Sequence, residues 1–156
     1  MATAISEGVG ARETGRLPSW LKGFNRVVIA LQRLGFVVGT MHVLAVSGRR
    51  SGVYRATPVS LLTVDGHRYI VAGLDDADWV RNARVAGRGM LRRGRTEEHV
   101  SLVELPVEDR ASILREFPQR IPQGVPFFTR LYGVGADPEQ FAGLAETCPV
   151  FRVERR

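Results

Sequence analysis

The sequence predicts a mainly β domain with flanking helices, an α+β chain whose strands close as a barrel. Five or six short apolar runs carry strand-like composition, helical periodicity is confined to a few segments, and the most polar turn joins strand to strand rather than strand to helix. A parallel sheet would need helical crossovers between its strands, which this order does not supply. With 156 residues, 44% of them hydrophobic and 24% charged, the chain can build one domain around its own core.

Residues 1–15 are rich in Ala, Gly, Ser, Thr and Glu with almost no large apolar side chain, which predicts a disordered tail. An amphipathic helix is expected over residues 16–38. Pro18 and Ser19 supply its start, and Trp20, Phe24, Val27, Val28, Leu31 and Leu34 recur at three and four, with Lys22, Arg26 and Arg33 opposite. Such a basic stripe, over residues 17–34, suits a membrane surface, a packing face on the barrel or a dimer contact equally well.

The remaining residues, 39–156, are assigned to the barrel domain. Strands are expected at 41–47, 55–64 and 68–72, with Asp65-Gly66 as the turn between the last two. A short helix around Trp79 follows, then strands at 88–93 and 97–105, a helix over 107–117 that turns Ile113, Leu114 and Phe117 inward, and a last strand over 150–154. The stretch 118–143 is rich in Pro, Gly and aromatic residues and receives no assignment. Its Phe127, Phe128 and Tyr132 either wall a substrate pocket or form a satellite hydrophobic cluster.

The formal charge of +6 is almost wholly arginine, since Lys22 is the only lysine. Arginine favours fixed, forked recognition of phosphate and carboxylate. It is concentrated in Gly48-Arg49-Arg50-Ser51-Gly52, followed by Val53-Tyr54-Arg55-Ala56-Thr57-Pro58. Two glycines permit close backbone approach, Ser51 adds a hydroxyl, and Arg55 and Thr57 project from one strand face. The loop has neither the Gly-Lys-Ser/Thr ending of a P-loop nor three-glycine dinucleotide spacing. It is either an anion cradle or a solvated hairpin whose arginines confer solubility. A second basic run, Arg88 to Arg95, reads as a solvated strand face; without a stacking platform, helix-turn-helix or zinc module, no nucleic-acid partner is expected.

Several chemistries have no support. Cys148 is the only cysteine, and His42, His67 and His99 are scattered without metal-ligand spacing, so no metal site is expected. No Ser-His-Asp arrangement or carboxylate pair at helical spacing points to hydrolysis. Hydride transfer needs none of these, because a cofactor carries the reaction. Neither a bilayer-spanning apolar run nor a signal peptide is evident, which predicts a cytoplasmic protein, associated with the inner face of the membrane if residues 17–34 lie on it.

In Asp78-Trp79-Val80-Arg81-Asn82-Ala83-Arg84-Val85-Ala86-Gly87, Trp79, Asn82, Ala83 and Ala86 share one helical face. Trp79 and Asn82 there either flank a flat ring or, for Trp79, fill the end of the barrel. Together with the Gly-Arg-Arg-Ser-Gly loop, the Arg55-x-Thr57-Pro58 strand and the Val64-Asp65-Gly66-His67-Arg68-Tyr69 hairpin, this Trp-x-x-Asn helix resembles the deazaflavin-dependent nitroreductase and quinone reductase family of the split β-barrel, FMN-binding-like superfamily. The resemblance runs from Met41 to Arg95, with weaker agreement at Pro149-Val150-Phe151-Arg152-Val153.

The resemblance implies coenzyme F420 as cofactor, with FMN as the alternative, and an often dimeric enzyme that passes hydride to quinones, enones or nitro-aromatics. It implies that Arg49, Arg50, Ser51 and Gly52 hold the cofactor phosphate, with Arg55 near it or the acidic tail. Thr57, Pro58, Ala72 and Gly73 would line the ring, Trp79 and Asn82 would close the pocket, and Tyr132 would offer a substrate-side hydroxyl as the catalytic candidate. Where members of the family carry a polar, basic step, this chain reads Ala72-Gly73-Leu74-Asp75-Asp76, trading a hydroxyl and a positive charge for two carboxylates. The resemblance therefore leaves open whether nitroimidazoles in particular are among the acceptors.

Overall fold

Alternation of inward and outward side chains organises the strands into one antiparallel sheet that curls on itself. The computed structural model describes residues 41–156 of the chain; the expected tail over 1–15 and helix over 16–38 lie outside the described residues. The strands are β1 (Met41–Ser47), β2 (Tyr54–Ser60), β3 (Leu62–Val64), β4 (His67–Val71), β5 (Arg88–Arg93), β6 (Thr96–Glu104) and β7 (Val150–Arg155). Helix α1 (Asp78–Ala86) follows β4, and α2 (Val107–Arg120), a 3-10 turn (Pro122–Gly124), α3 (Val125–Tyr132) and α4 (Pro138–Ala142) lie between β6 and β7.

The order across the sheet is β2-β1-β5-β6-β7-β4-β3, every pairing antiparallel. Its two outermost strands, β2 and β3, are consecutive in sequence and separated only by Leu61. The expected single strand over 55–64 is thus broken at Leu61, where the chain leaves β1 and turns to pair with β4. That bend closes the barrel covalently. Pro58 sits in β2 opposite Val43, on an outermost strand, where its missing N–H costs no second ladder. The β3–β4 hairpin turns on Asp65 and Gly66, both at positive φ (51° and 80°), as a two-residue primed turn requires.

Inward positions fill the barrel with Leu44, Val46, Val59, Ile70, Leu91, Val100, Leu102, Phe151 and Val153, and α1 adds Trp79, Val80 and Ala83 at one end. Trp79 is 4% exposed and lies 5.5 Å from Phe151, centroid to centroid. Of the two readings of this residue, the structure supports the barrel plug.

Outward positions of β3, β4 and β7 face a second core. Leu62, Tyr69, Val71 and Val150 pack against Phe117 of α2, Phe127 and Phe128 of α3 and Phe141 of α4. The unassigned stretch 118–143 therefore forms helices over a satellite hydrophobic cluster, with Phe117 and Phe141 stacked at 5.3 Å and Phe127 edge-on to Phe128 at 5.5 Å. α2 continues to Arg120, past the expected end at Phe117, with Pro118 inside its last turn and buried.

The end of the barrel opposite α1 is lined by charge. Glu98 accepts from Arg68 Nη1 and, at 2.9 Å, from Arg155 Nε. Burial disfavours ionisation of the Glu98 carboxyl, but the hydrogen bonds from Arg68 and Arg155 outweigh it and hold the group below its usual range.

Two outcomes follow from this packing. Phe141→Ala, at a fully buried site, should cost about 3–5 kcal/mol in urea unfolding and loosen α4 first. Because the folded-state pKa of Glu98 is depressed, its contribution to stability is present above the unfolded value of roughly 4.3 and is lost as pH falls through the folded value. The melting-temperature gap between wild type and Glu98→Gln should therefore be open at pH 7 and close below about pH 4.

Candidate functional site

The chain leaves β1 at Ser47 and re-enters the sheet at Tyr54 through a tight loop. Gly48 N–H donates to Val53 O and Gly52 N–H to Gly48 O, both at 2.8 Å, and Gly52 takes φ +73°, which a side chain would strain. Val53 N–H donates to Ser51 Oγ at 3.2 Å. The loop is then fastened to α1 through two side chains of that helix, one of them buried. Arg49 donates both its backbone N–H (3.0 Å) and Nη1 (2.9 Å) to Asn82 Oδ1, and Nη2 reaches Asp78 Oδ1 at 3.4 Å. Asp78 and Asn82 are four apart and share a helical face, so one stripe of α1 grips one residue of the loop.

Between loop, β2 and α1 lies an open cleft of about 290 Å³, lined by Gly48, Arg49, Arg50, Ser51, Arg55, Asp78 and Asn82. Most arginines elsewhere are spent on carboxylates: Arg84 on Asp75 and Glu104, Arg92 on Glu97, Arg115 on Glu139, Arg120 on Glu116, Arg152 on Glu154. Arg50 and Arg55 have no carboxylate partner among the described residues. The backbone N–H groups of Arg50 and Ser51 are also unbonded there, and the Ser51 hydroxyl, already an acceptor, retains its proton to donate. Two guanidinium forks, two amides and a hydroxyl in one concave loop can bind an oxyanion.

The structure thus brings together Arg49, Arg50, Ser51, Arg55 and Asn82, with Gly52 shaping the loop. Asp78 joins them without having been singled out, although its spacing to Asn82 was legible. Other expected site residues lie elsewhere. Thr57 is buried on the inward face of β2 that also carries Arg55, whereas Pro58 is on the opposite face. Ala72 is fully buried, with its N–H on Pro149 O. A side chain on Gly73 would come within 2.2 Å of the Phe127 ring, so that ring occupies the space in front of it.

Gly73 O accepts from the Tyr132 hydroxyl and lies 3.8 Å from Cys148 Sγ, tying α3 to the segment after β4. Burial pushes the Cys148 thiol up to about 12, against the Tyr132 hydrogen bond and the charge of Arg110, so the thiol stays neutral. Of the two carboxylates in the segment after Gly73, Asp75 pairs with Arg84 at 2.6 Å, while Asp76 Oδ1 is buried without a hydrogen bond among the described residues. No group of His, Cys, Asp and Glu suited to a metal occurs among the described residues, and none of their helices is long and apolar enough to cross a membrane.

Asn82→Ala should strand both Arg49 donors, lower stability by about 1–3 kcal/mol and speed amide exchange at Arg49. Asn82→Asp, which keeps the acceptor, should preserve protection. Unchanged exchange at Arg49 in Asn82→Ala would show that the loop is held by something else.

No protein-family model matches the chain, and no curated protein matches it in sequence. Solved structures do. An F420-H2 dependent reductase, FDR-A, is 19% identical with a TM-score of 0.52, covering 76% of this chain and 98% of its own. A domain-swapped dimer is 19% identical with a TM-score of 0.54, covering 86% and 97%. A Listeria innocua protein named as a candidate pyridoxamine 5'-phosphate oxidase is 11% identical with a TM-score of 0.51, covering 84% and 92%. The seven-strand antiparallel sheet, curled into a half-barrel with flanking helices, is therefore the split β-barrel of FMN-binding-like type that this chain shares with them.

Proposed function

We propose that the chain is an oxidoreductase that binds reduced coenzyme F420 and passes its hydride to a quinone, enone or nitro-aromatic acceptor. One observation carries this reading: Arg50 and Arg55 face one cleft together with the Ser51 hydroxyl and two unbonded backbone amides, and neither has a carboxylate partner among the described residues. The residues present fit the anionic part of such a cofactor. Arg50, Arg55, Ser51 and the unbonded amides would take its phosphate and acidic tail, and Gly52 lets the backbone approach.

Arg49 and Asn82 position that loop. Thr57, Ala72 and Trp79 support it from inside the barrel by fixing β2 and α1, and Tyr132 holds Gly73 in place through its hydroxyl. When bound, the deazaflavin supplies the hydride; the chain supplies anchoring, orientation and water exclusion. The likeness to an F420-H2 dependent reductase supports the cofactor, and the domain-swapped dimer supports a homodimer. A cytoplasmic location suits a soluble cofactor, and contact with the inner membrane face would come through residues 17–34.

Parallel titrations with F420 and FMN test the assignment. F420 should bind more tightly, because its tail adds negative charge that the FMN phosphate lacks. Arg50→Ala and Arg55→Ala should each weaken F420 binding about 10- to 150-fold, given roughly 1.5–3 kcal/mol per charge-assisted hydrogen bond. Turnover at saturating cofactor should change little, since an anchor far from the reacting atoms stabilises ground and transition states alike. Tight FMN binding with no response to F420, or wild-type affinity in both variants, overturns the proposal.

A further inference from the structure

The cleft between the Gly48–Gly52 loop and α1 holds one residue that an anion site does not call for. Asp78, the first residue of α1, lines it alongside Arg50, Ser51 and Arg55. An ionised carboxylate only accepts hydrogen bonds and repels an oxyanion placed against it, so for anion affinity alone Asp78 is a cost.

Structural duties account for little of its presence. Asp78 does not cap its helix, since α1 has no side-chain cap. Its ion pair with Arg49 is long, 3.4 Å from Nη2 to Oδ1, and its side chain is 61% exposed, the setting in which such pairs contribute least. Arg49 is already held by Asn82 Oδ1 through two shorter bonds, at 3.0 and 2.9 Å. Attraction to the positive end of the helix dipole is open to any carboxylate of the first turn and is screened at this exposure. Asp78 Oδ2 accepts nothing among the described residues and Oδ1 only the long contact, so most of the acceptor capacity of this carboxylate is unused.

A ligand group bound against Asp78 must therefore donate a hydrogen bond. A cationic donor would be repelled by Arg50 and Arg55, which leaves a neutral one, and adjacent hydroxyl groups suit a carboxylate with two open oxygens. We infer that Asp78 is the specificity-determining residue of the cleft: it accepts hydrogen bonds from hydroxyl groups on the chain next to the bound anion, so that a phosphorylated polyol is chosen over the same phosphate on a plain alkyl chain. The inference rests on the proposed reading of the cleft as an anion site. Arg50 and Arg55 hold the charge, and Asp78 selects what the charge is attached to.

The test compares ribitol 5-phosphate with pentyl phosphate, which share a phosphomonoester and an unbranched five-carbon chain and differ in their hydroxyl groups, by NMR titration of the full chain in parallel with F420. Ribitol 5-phosphate should bind about three- to tenfold more tightly, with amide shifts at Arg50, Ser51 and Asp78. Asp78→Ala should remove that preference while leaving pentyl phosphate bound as tightly as before or more tightly, because a repulsive charge has gone. Asp78→Asn, which keeps one carbonyl acceptor, should retain part of the preference. A merely structural Asp78 would weaken both ligands equally on substitution. Equal affinity for the two ligands in the wild type, equal weakening of both in Asp78→Ala, a preference that survives Asp78→Ala, or no binding of either at millimolar concentration overturns the inference. The F420 titration separates this outcome from the cofactor assignment. F420 binding without a polyol preference overturns the role of Asp78 and leaves that assignment standing, whereas an Asp78-dependent preference in a chain that ignores F420 supports the role and sinks the assignment alone.

Discussion

The bend at Leu61 is the constraint on which the molecule depends. It lets one stretch of chain serve as β2 beside β1 and as β3 beside β4, so the two outermost strands of the sheet are consecutive in the chain and the curl is fixed by connectivity. Closure then gives every inward position an occupant. Bulky residues fill the middle, and the ends must be finished separately because no strand residue reaches across them.

The helix α1 finishes one end, and this is what makes a site there. Trp79, Val80 and Ala83 point into the barrel, which places Asp78 and the buried Asn82 on the adjoining stripe of the helix, toward the β1–β2 loop. Arg49 is drawn to Asn82, and the loop is held with Arg50 and Arg55 at the cleft. The same packing that stabilises the barrel thus presents two arginines that have no carboxylate partner among the described residues. Arg84, on the same helix, is by contrast tied down by Glu104 and Asp75, whose hydrogen bonds raise its already high pKa despite burial.

The satellite core plays a different part. Four phenylalanines from α2, α3 and α4 cover the outward face of β3, β4 and β7, and Tyr132 and Cys148 converge on Gly73 O. The segment between β4 and α1 is clamped from that side. Its rigidity bears on how accurately α1, and therefore Asn82, is placed.

Period-two alternation and turn chemistry were enough to read β1, β4, β5, β6 and β7, the Asp65-Gly66 turn and the helix around Trp79 from the sequence, because these depend on local geometry and on which face is apolar. The loop residues Arg49, Arg50, Ser51 and Arg55 were legible for the same reason, being contiguous and chemically distinctive. Only the tertiary structure decided the rest. The break at Leu61 depends on which strands the two halves meet, and the helices over 118–143 depend on an apolar sheet face to pack against. Whether Trp79 flanked a ligand or filled the core, and whether Tyr132 was free, turned on contacts with Phe151 and Gly73, dozens of residues away. The polar residues around Glu98 are drawn from five strands spread from residue 42 to residue 155, a convergence that no local pattern encodes, because barrel closure alone brings those positions to one mouth.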